Sequence, residues 1–131
     1  MSVELFNVLS YHHQIVENVD ITTTDPDWTD LISLTAVDMS VGTYALSASI
    51  QFHQNSTSQD FLYQFSYDGE ATWGPVYMKR VKGRNNIEVL EIFDVLDLPS
   101  VETIQVACRV SRSATADTTV IKAILACERK A

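Results

Sequence analysis

The chain has 131 residues, of which 46% are hydrophobic, and a formal net charge of −8 at pH 7. This length favours one domain with its own core, and no apolar window approaches the roughly 18 residues of a membrane-spanning helix. A net acidic chain is a poor nucleic-acid binder, because such binding depends on neutralising phosphates. We therefore expect one domain that binds neither membranes nor nucleic acid.

The charge is divided unevenly along the chain. Residues 1–77 contain ten acidic residues and no Lys or Arg, whereas residues 78–131 contain nine basic and seven acidic residues. Such asymmetry bears on partners and association rather than on fold. It is typical of head-to-tail or subunit contacts, and simple solubility is the alternative interpretation.

The first segment, residues 1–14, has no clean hydrophobic period, although it contains Val3, Leu5 and Phe6. Two interpretations stay open: an arm that contacts neighbouring subunits, or a first strand of the domain. His12 and His13 are adjacent and would point to opposite faces of a strand, so they make a poor pair of metal ligands. The N-terminus also lacks the pattern of a signal peptide, which predicts synthesis in a cytoplasm.

Residues 15–131 are predicted to form a single domain made of strands. Residues 15–24 and 28–37 fit the first two strands of this domain. The clearest segment follows at 42–69, where apolar residues alternate on both sides of a polar loop before an Asp-Gly turn. We interpret it as the central hairpin of a β-sandwich. Its predicted core residues include Leu46, Ile50 and Phe65.

The second half of the chain continues the pattern. Residues 72–81 predict another strand, and residues 87–98 predict a strand to about Ile92 followed by a bend or a single helical turn. Residues 101–111 and 119–129 alternate again, with Ile121 and Ser111 predicted to face inward and outward respectively. Without a secretory signal, Cys108 and Cys127 are expected to be buried thiols.

About eight strands at intervals of roughly 8–14 residues are typical of a two-sheet sandwich. We therefore predict an all-β fold, an antiparallel two-sheet β-sandwich of jelly-roll type. One basic cluster interrupts it, with Lys79, Arg80, Lys82 and Arg84. A phosphate site is one interpretation, but no aromatic residues interleave with the cluster. A solvated turn, or a contact for an acidic neighbour, is the interpretation we favour.

Catalytic signatures are absent from the sequence. It contains no G-x-S-x-G elbow, no Gly-rich phosphate loop and no H-E-x-x-H motif. Asp25 and Asp27 flank Pro26 in a predicted turn, where carboxylates usually cap backbone N–H groups. The sequence also has no CxxC, and His53 alone cannot supply the His pair of a metal-binding cupin. We therefore expect a protein that is not an enzyme and that uses no metal or other cofactor.

The order of motifs from residue 28 to residue 129 resembles small jelly-roll modules of tailed-phage virions. The resemblance rests on Trp28-Thr29-Asp30-Leu31-Ile32-Ser33-Leu34, Gly42-Thr43-Tyr44, Tyr67-Asp68-Gly69 and the closing strand over residues 121–126. The same order is similar to the complement globular-head and tumour-necrosis-factor superfamily. The chain departs from the pattern at Leu98-Pro99-Ser100, which stands where a Gly-Asp turn is expected.

The resemblance implies a virion structural protein, and first a capsid decoration (cement) protein that binds the head shell. Such modules are commonly dimers or trimers, and the partner would be the major capsid protein or another virion protein. The contacts would be the segment with Val3, Leu5 and Phe6 and the basic loop. The alternative is a fibre or tail module that recognises a host receptor or glycan through exposed aromatic residues, with the candidates Tyr11, Trp28, Trp73 and Tyr77.

Overall fold

The computed structural model describes residues 11–81 and 83–130, and these ranges contain eight β-strands and no helix. These described ranges therefore contain no helix long and apolar enough to cross a membrane. The strands are β1 (Tyr11–Ile21), β2 (Thr29–Met39), β3 (Gly42–Gln54), β4 (Asp60–Ser66), β5 (Tyr77–Arg80), β6 (Glu88–Leu98), β7 (Glu102–Arg112) and β8 (Thr118–Arg129).

The strands form two four-stranded sheets in which all neighbours are antiparallel. Sheet A has the order β1-β8-β3-β6, and sheet B has the order β2-β7-β4-β5. Six of the seven connections between successive strands cross from one sheet to the other. This wrapping is the jelly roll. The predicted all-β, two-sheet jelly roll of about eight strands is confirmed.

The core lies between the two sheets and follows the predicted period. Leu46, Ile50 and Phe65, which were expected in it, are all buried. Phe52 of β3 stacks on Phe61 of β4 across the sandwich, with ring centroids 4.0 Å apart. Because apolar burial stabilises by about 25 cal/mol per Å², the buried core to which this pair belongs holds sheet A on sheet B.

The predicted central hairpin is wrong, since β3 and β4 do not pair with each other. Both sides of β3 are occupied within sheet A, by β8 on one side and β6 on the other. The connection over residues 55–59 instead carries the chain across to sheet B, where β4 pairs with β5 and β7. Alternation identified both strands correctly but contains no information about which strand lies beside which.

The predicted bend or helical turn over residues 93–98 is also wrong. β6 is one continuous strand, and its eleven residues pair with β3 from Glu88 opposite Phe52 to Leu98 opposite Gly42. Phe93 and Val95 obscured the period, because they are apolar residues on the solvent side of the strand. The backbone hydrogen bonds to β3 determine the conformation here, overriding local propensity.

At the far end of the sandwich one predicted side-chain direction is wrong, and one residue predicted to face outward is buried. A bulge in β8, between the pairs Gln51–Lys122 and Phe52–Val120, shifts the alternation by one residue. Val120 is therefore fully buried in the place predicted for Ile121. Ser111, predicted to face outward, is also fully buried, and its Oγ donates a hydrogen bond to the carbonyl oxygen of Asp27 at 2.6 Å.

The cysteine prediction is confirmed, because Cys108 and Cys127 are both free thiols in the buried core. Burial raises the pKa of Cys108 to about 12 and that of Cys127 to about 11. Both groups therefore stay protonated and unreactive at neutral pH.

Candidate functional site

The predicted basic contact residues lie on β5 and on the turn that follows it. Arg80 is at the end of β5, where its Nε lies 2.6 Å from the Asp60 carboxylate of the neighbouring strand β4. The Arg80 side chain remains 66% exposed, so its guanidinium is paired and still accessible. Lys79 is half-buried beside it, and Arg84 is exposed in the turn over residues 83–86.

This turn has a fixed place on the fold. The Asn85 N–H donates a hydrogen bond to the carbonyl oxygen of Gln54 at 2.7 Å, which ties the turn to the end of β3. The other predicted contact residues are Val3, Leu5 and Phe6 in the first segment, and Lys82 in this loop. All four lie outside the described residues. β1 begins at Tyr11, so residues 11–14 of the predicted segment belong to a strand of sheet A.

Two of the four candidate aromatic residues, Trp28 and Trp73, pack against an arginine of the same chain. The guanidinium of Arg109, on β7, lies between the rings of Trp28 and Trp73, at 5.0 Å and 4.1 Å from their centroids. The Arg109 Nε also donates a hydrogen bond to Gln64 Oε1 at 2.9 Å. A guanidinium over an aromatic ring is a cation–π arrangement, so these tryptophans pack against Arg109 and do not form an open platform.

The same contact fixes the β4–β5 loop, residues 67–76, over the outer face of sheet B. Gln64 Nε2 donates to the Gly74 carbonyl oxygen at 2.8 Å, and the Gly74 N–H donates to the Phe65 carbonyl oxygen at 2.8 Å. The sequence alone did not identify this arrangement, because Trp28, Trp73 and Arg109 are far apart in the chain. The feature of the sequence that could have indicated this packing is an arginine at an outward position of an inner strand.

The start of this loop is organised by the Asp68 carboxylate. It accepts hydrogen bonds from Ser66 Oγ at 2.8 Å, from the Thr72 N–H at 2.9 Å and from Thr72 Oγ1. Gly69 follows in the left-handed region with φ of 69°, and a Cβ atom there would lie 2.6 Å from Gln105 Oε1. Glycine therefore satisfies both the backbone conformation and the close approach to β7.

The hydrogen bonds from the Thr72 hydroxyl and N–H, and then from Ser66, lower the pKa of Asp68 from 3.8 to about 2. Since the folded-state pKa is depressed, the contribution of this network to stability is complete above pH 4 and is lost as the pH falls towards 2. We expect an NMR titration of the Asp68 carboxyl carbon to give a midpoint well below 3.8. Thr72→Val should raise that midpoint, and a wild-type midpoint near 3.8 would contradict the network.

An aromatic groove of about 380 Å³ opens between the edge strands β5 and β6. Tyr77, one of the predicted aromatics, is about half exposed there and stacks on Tyr63 at 5.5 Å. The Tyr67 hydroxyl donates a hydrogen bond to Asp94; burial, and then the negative charge of Asp94, raise the pKa of Tyr67 to about 12. The groove is also lined by Phe65, Gly74, Pro75, Ile92 and Phe93.

The remaining candidate, Tyr11, lies on β1, away from these edges.

A larger polar cavity of about 630 Å³ lies at the end of the sandwich where β3 meets the start of β8. Its lining includes Asp20, His53, Asn55, Arg112 and Asp117. Arg112 is held by hydrogen bonds to the carbonyl oxygens of Ala116 and Thr22. Over residues 11–81 and 83–130, no three or more His, Cys, Asp or Glu side chains are grouped closely enough to hold a metal ion.

Comparison with known proteins identifies relatives in fold only. No family model matches the sequence, and no curated protein matches it. The vertex protein P5 of PRD1 is 10% identical with a TM-score of 0.60, and the match covers 94% of this chain and 99% of P5. Eiger TNF from S. frugiperda is 9% identical with a TM-score of 0.55, covering 94% and 93%.

Infectious bursal disease virus VP2, from a subviral particle, is 6% identical with a TM-score of 0.60. That match covers 91% of this chain and 33% of the VP2 chain, so the chain spans about a third of VP2. Identities this low show the fold and nothing finer. The expected likeness to virion jelly rolls and to the tumour-necrosis-factor superfamily is therefore confirmed for the fold, and the chain is a jelly roll similar to all three proteins.

Proposed function

We propose that this chain is a structural protein of a virion that acts by binding other proteins and catalyses no reaction. The observation that carries the proposal is the end-to-end match to the PRD1 vertex protein, which covers 94% of one chain and 99% of the other. The likeness extends over almost the whole of both compared chains, so one jelly roll accounts for nearly all of the residues compared. A module of this kind is suited to present a binding surface to other proteins.

We further propose that it is a capsid decoration protein of a phage head. In this role it is made in the host cytoplasm, binds the major capsid protein on the outer shell and stabilises it. The supporting feature is the exposed basic turn on an otherwise acidic chain. Arg84 is exposed at its tip, and the tie from Asn85 to β3 holds the turn in position. A positioned charge favours encounter with an acidic partner surface.

The test is binding to purified heads that lack the decoration protein, measured as occupancy at increasing protein concentration. The double variant Lys79→Glu, Arg84→Glu should lower occupancy at least about tenfold, and higher salt should weaken wild-type binding. Deletion of residues 2–10, which leaves β1 intact, should weaken binding as well. Unchanged occupancy in the deletion would remove the first segment from the interface.

Lys130→Glu is the matched charge control. The Lys130 N–H bonds to the carbonyl oxygen of Thr43, whereas the basic turn is tied to Gln54 at the other end of β3. Strand geometry puts about 36 Å between these two ends. Lys130→Glu should therefore leave occupancy within about twofold of the wild type. An equal loss for this control would mean that net charge alone, rather than the basic turn, governs binding.

The second candidate is a fibre or tail module that recognises a host receptor or glycan. The aromatic groove favours it, because exposed tyrosine rings such as Tyr77 supply an apolar surface with a polar tip. In this case glycan-array binding and host adsorption would both be lost in Tyr77→Ala. An array without a hit, together with normal adsorption of Tyr77→Ala, would count against this candidate.

A further inference from the structure

The outer face of sheet A, which points away from the core, carries exposed apolar side chains along both of its edges. On β1, Tyr11 and Ile15 are about half exposed. On β6, Phe93 and Val95 are 74% and 66% exposed. These residues alternate with inward-facing ones, so their exposure follows from strand geometry. A face with two apolar edges differs from the polar outer face that is usual for a one-sheet surface.

The centre of this face is low in one row. Ser47 of β3 lies opposite Ala126 of β8 there, whereas the rows on either side carry a longer side chain, Glu128 or Ile124, on β8. In the next row Ala45 lies opposite Glu128. The apolar edges on β1 and β6 therefore border a centre that is shallow around Ser47 and Ala126. Two sheets pack face to face at about 10 Å when their side chains interdigitate in this way.

We infer that this face binds the same face of a second copy of the chain. The two copies are related by a two-fold axis that lies in the interface, parallel to the strands. This axis places β1 of one copy opposite β6 of the other, and β8 opposite β3. Tyr11 and Val95 are at the two ends of one row of sheet A, and His13 and Phe93 are at the ends of the next. The axis therefore sets Tyr11 on the second copy's Val95, and His13 on its Phe93.

The charges on the face are compatible with this packing. The carboxylate of Glu91 falls opposite Ile15 of the other copy, and Glu128 falls opposite Ala45. Glu17, in the following row, falls opposite Val89. No carboxylate of these rows therefore meets another carboxylate, which avoids the like-charge contacts that disfavour a partner. The net charge of −8 makes this arrangement informative, because an acidic chain must avoid such contacts to self-associate.

The size of the face also fits. Four strands at about 4.8 Å and seven residues at about 3.4 Å give roughly 450 Å² of flat area per copy. A standard interface takes about 800 Å² of accessible surface from each partner. Side chains that stand above the plane, such as Phe93, raise the accessible area towards that value. The inference goes beyond the proposed function and does not depend on it, because its test requires no capsid.

The test is the molar mass from light scattering over a concentration series, with thermal melting to verify folding. We expect a dimer whose dissociation constant rises at least about tenfold in Ile15→Glu and in Val95→Glu, at opposite edges of the face. Ile15→Lys places a cation opposite the second copy's Glu91, so it should stay within about threefold of the wild type. Val37→Glu, at a residue 63% exposed on β2 of sheet B, is the matched control and should do the same.

Results that differ from these expectations count against the inference. A wild-type monomer up to about 0.5 mM would overturn it, and so would an oligomer that neither glutamate variant weakens. A dimer that Ile15→Lys weakens as much as Ile15→Glu would overturn the two-fold packing along the strands. Since capsid occupancy is a separate measurement, failure here leaves the proposed function untouched.

Discussion

Phe61→Ala is expected to lower the free energy of unfolding by about 3–5 kcal/mol. Phe61 is fully buried on β4, and its ring stacks on Phe52 of β3 with centroids 4.0 Å apart. Its truncation removes apolar contact between the two sheets and leaves a cavity that neither sheet can fill without moving. Equilibrium unfolding in urea measures the change as a lower midpoint with an unchanged slope.

Phe93→Ala is the control for this prediction, since the same side chain is removed where it is 74% exposed. Its effect on unfolding, measured at a concentration where the protein is monomeric, should be within about 0.5 kcal/mol. Equal losses at the two positions would mean that Phe61 does not occupy the core between the sheets.

Gln59→Leu is expected to lower the free energy of unfolding by about 1–3 kcal/mol. Gln59 is fully buried, and its Nε2 donates to the Ala116 carbonyl oxygen at 3.1 Å and to Thr118 Oγ1 at 2.8 Å. Its Oε1 accepts from the Ala116 N–H at 3.2 Å. Leucine has a similar size but leaves the Ala116 N–H without its partner, at about 1–3 kcal/mol if that group stays buried. The Ala116 carbonyl oxygen and Thr118 Oγ1 each lose one bond but keep others, from Arg112 and to each other. Urea unfolding measures the loss.

Hydrogen exchange separates this mechanism from a general loss of packing. The Ala116 amide should lose protection in Gln59→Leu well before the β3 amides do. Gln51→Leu is the control, because Gln51 lies on the outer side of β3 and should change stability by no more than about 0.5 kcal/mol. If Gln59→Leu proved neutral, the side chain would not be what holds the β7–β8 loop.

The alternation of residues predicted most of the strands and their inward faces. Leu46, Ile50 and Phe65 were assigned to the core from period two alone, and each is buried. This works because one buried face imposes the same parity along a whole strand. It fails at a bulge, as where Val120 replaces Ile121 in the core, because one extra residue reverses the parity without a clear mark in the sequence.

Sheet order and the surface contacts were beyond the reach of the sequence pattern. Nothing local distinguishes a hairpin from a crossover between sheets, so β3 and β4 were joined wrongly. The placement of Arg109 between Trp28 and Trp73 depends on three distant segments meeting on one sheet. Phe93 and Val95 are exposed apolar residues on the outer face of sheet A. They broke the alternation expected of a strand in the sequence, and in the structure they belong to the proposed self-association face.

The two proposed interaction surfaces occupy different parts of the molecule. The basic turn around Arg84 is tied to the end of β3 at Gln54, whereas the self-association face covers the rows from Tyr11 to Glu17 on the outer side of sheet A. A dimer made through that face would therefore present two basic turns. Two linked turns would strengthen attachment to a repeating shell through effective concentration rather than through new contacts.

The most direct test of the proposed virion role is the copy number of this chain in purified particles of a virus that carries its gene. Quantitative mass spectrometry against the major capsid protein measures this ratio. A virion structural protein should be present at a fixed ratio that survives repeated gradient purification. Absence from purified particles, with abundant protein left in the infected-cell lysate, would contradict a structural role in the virion.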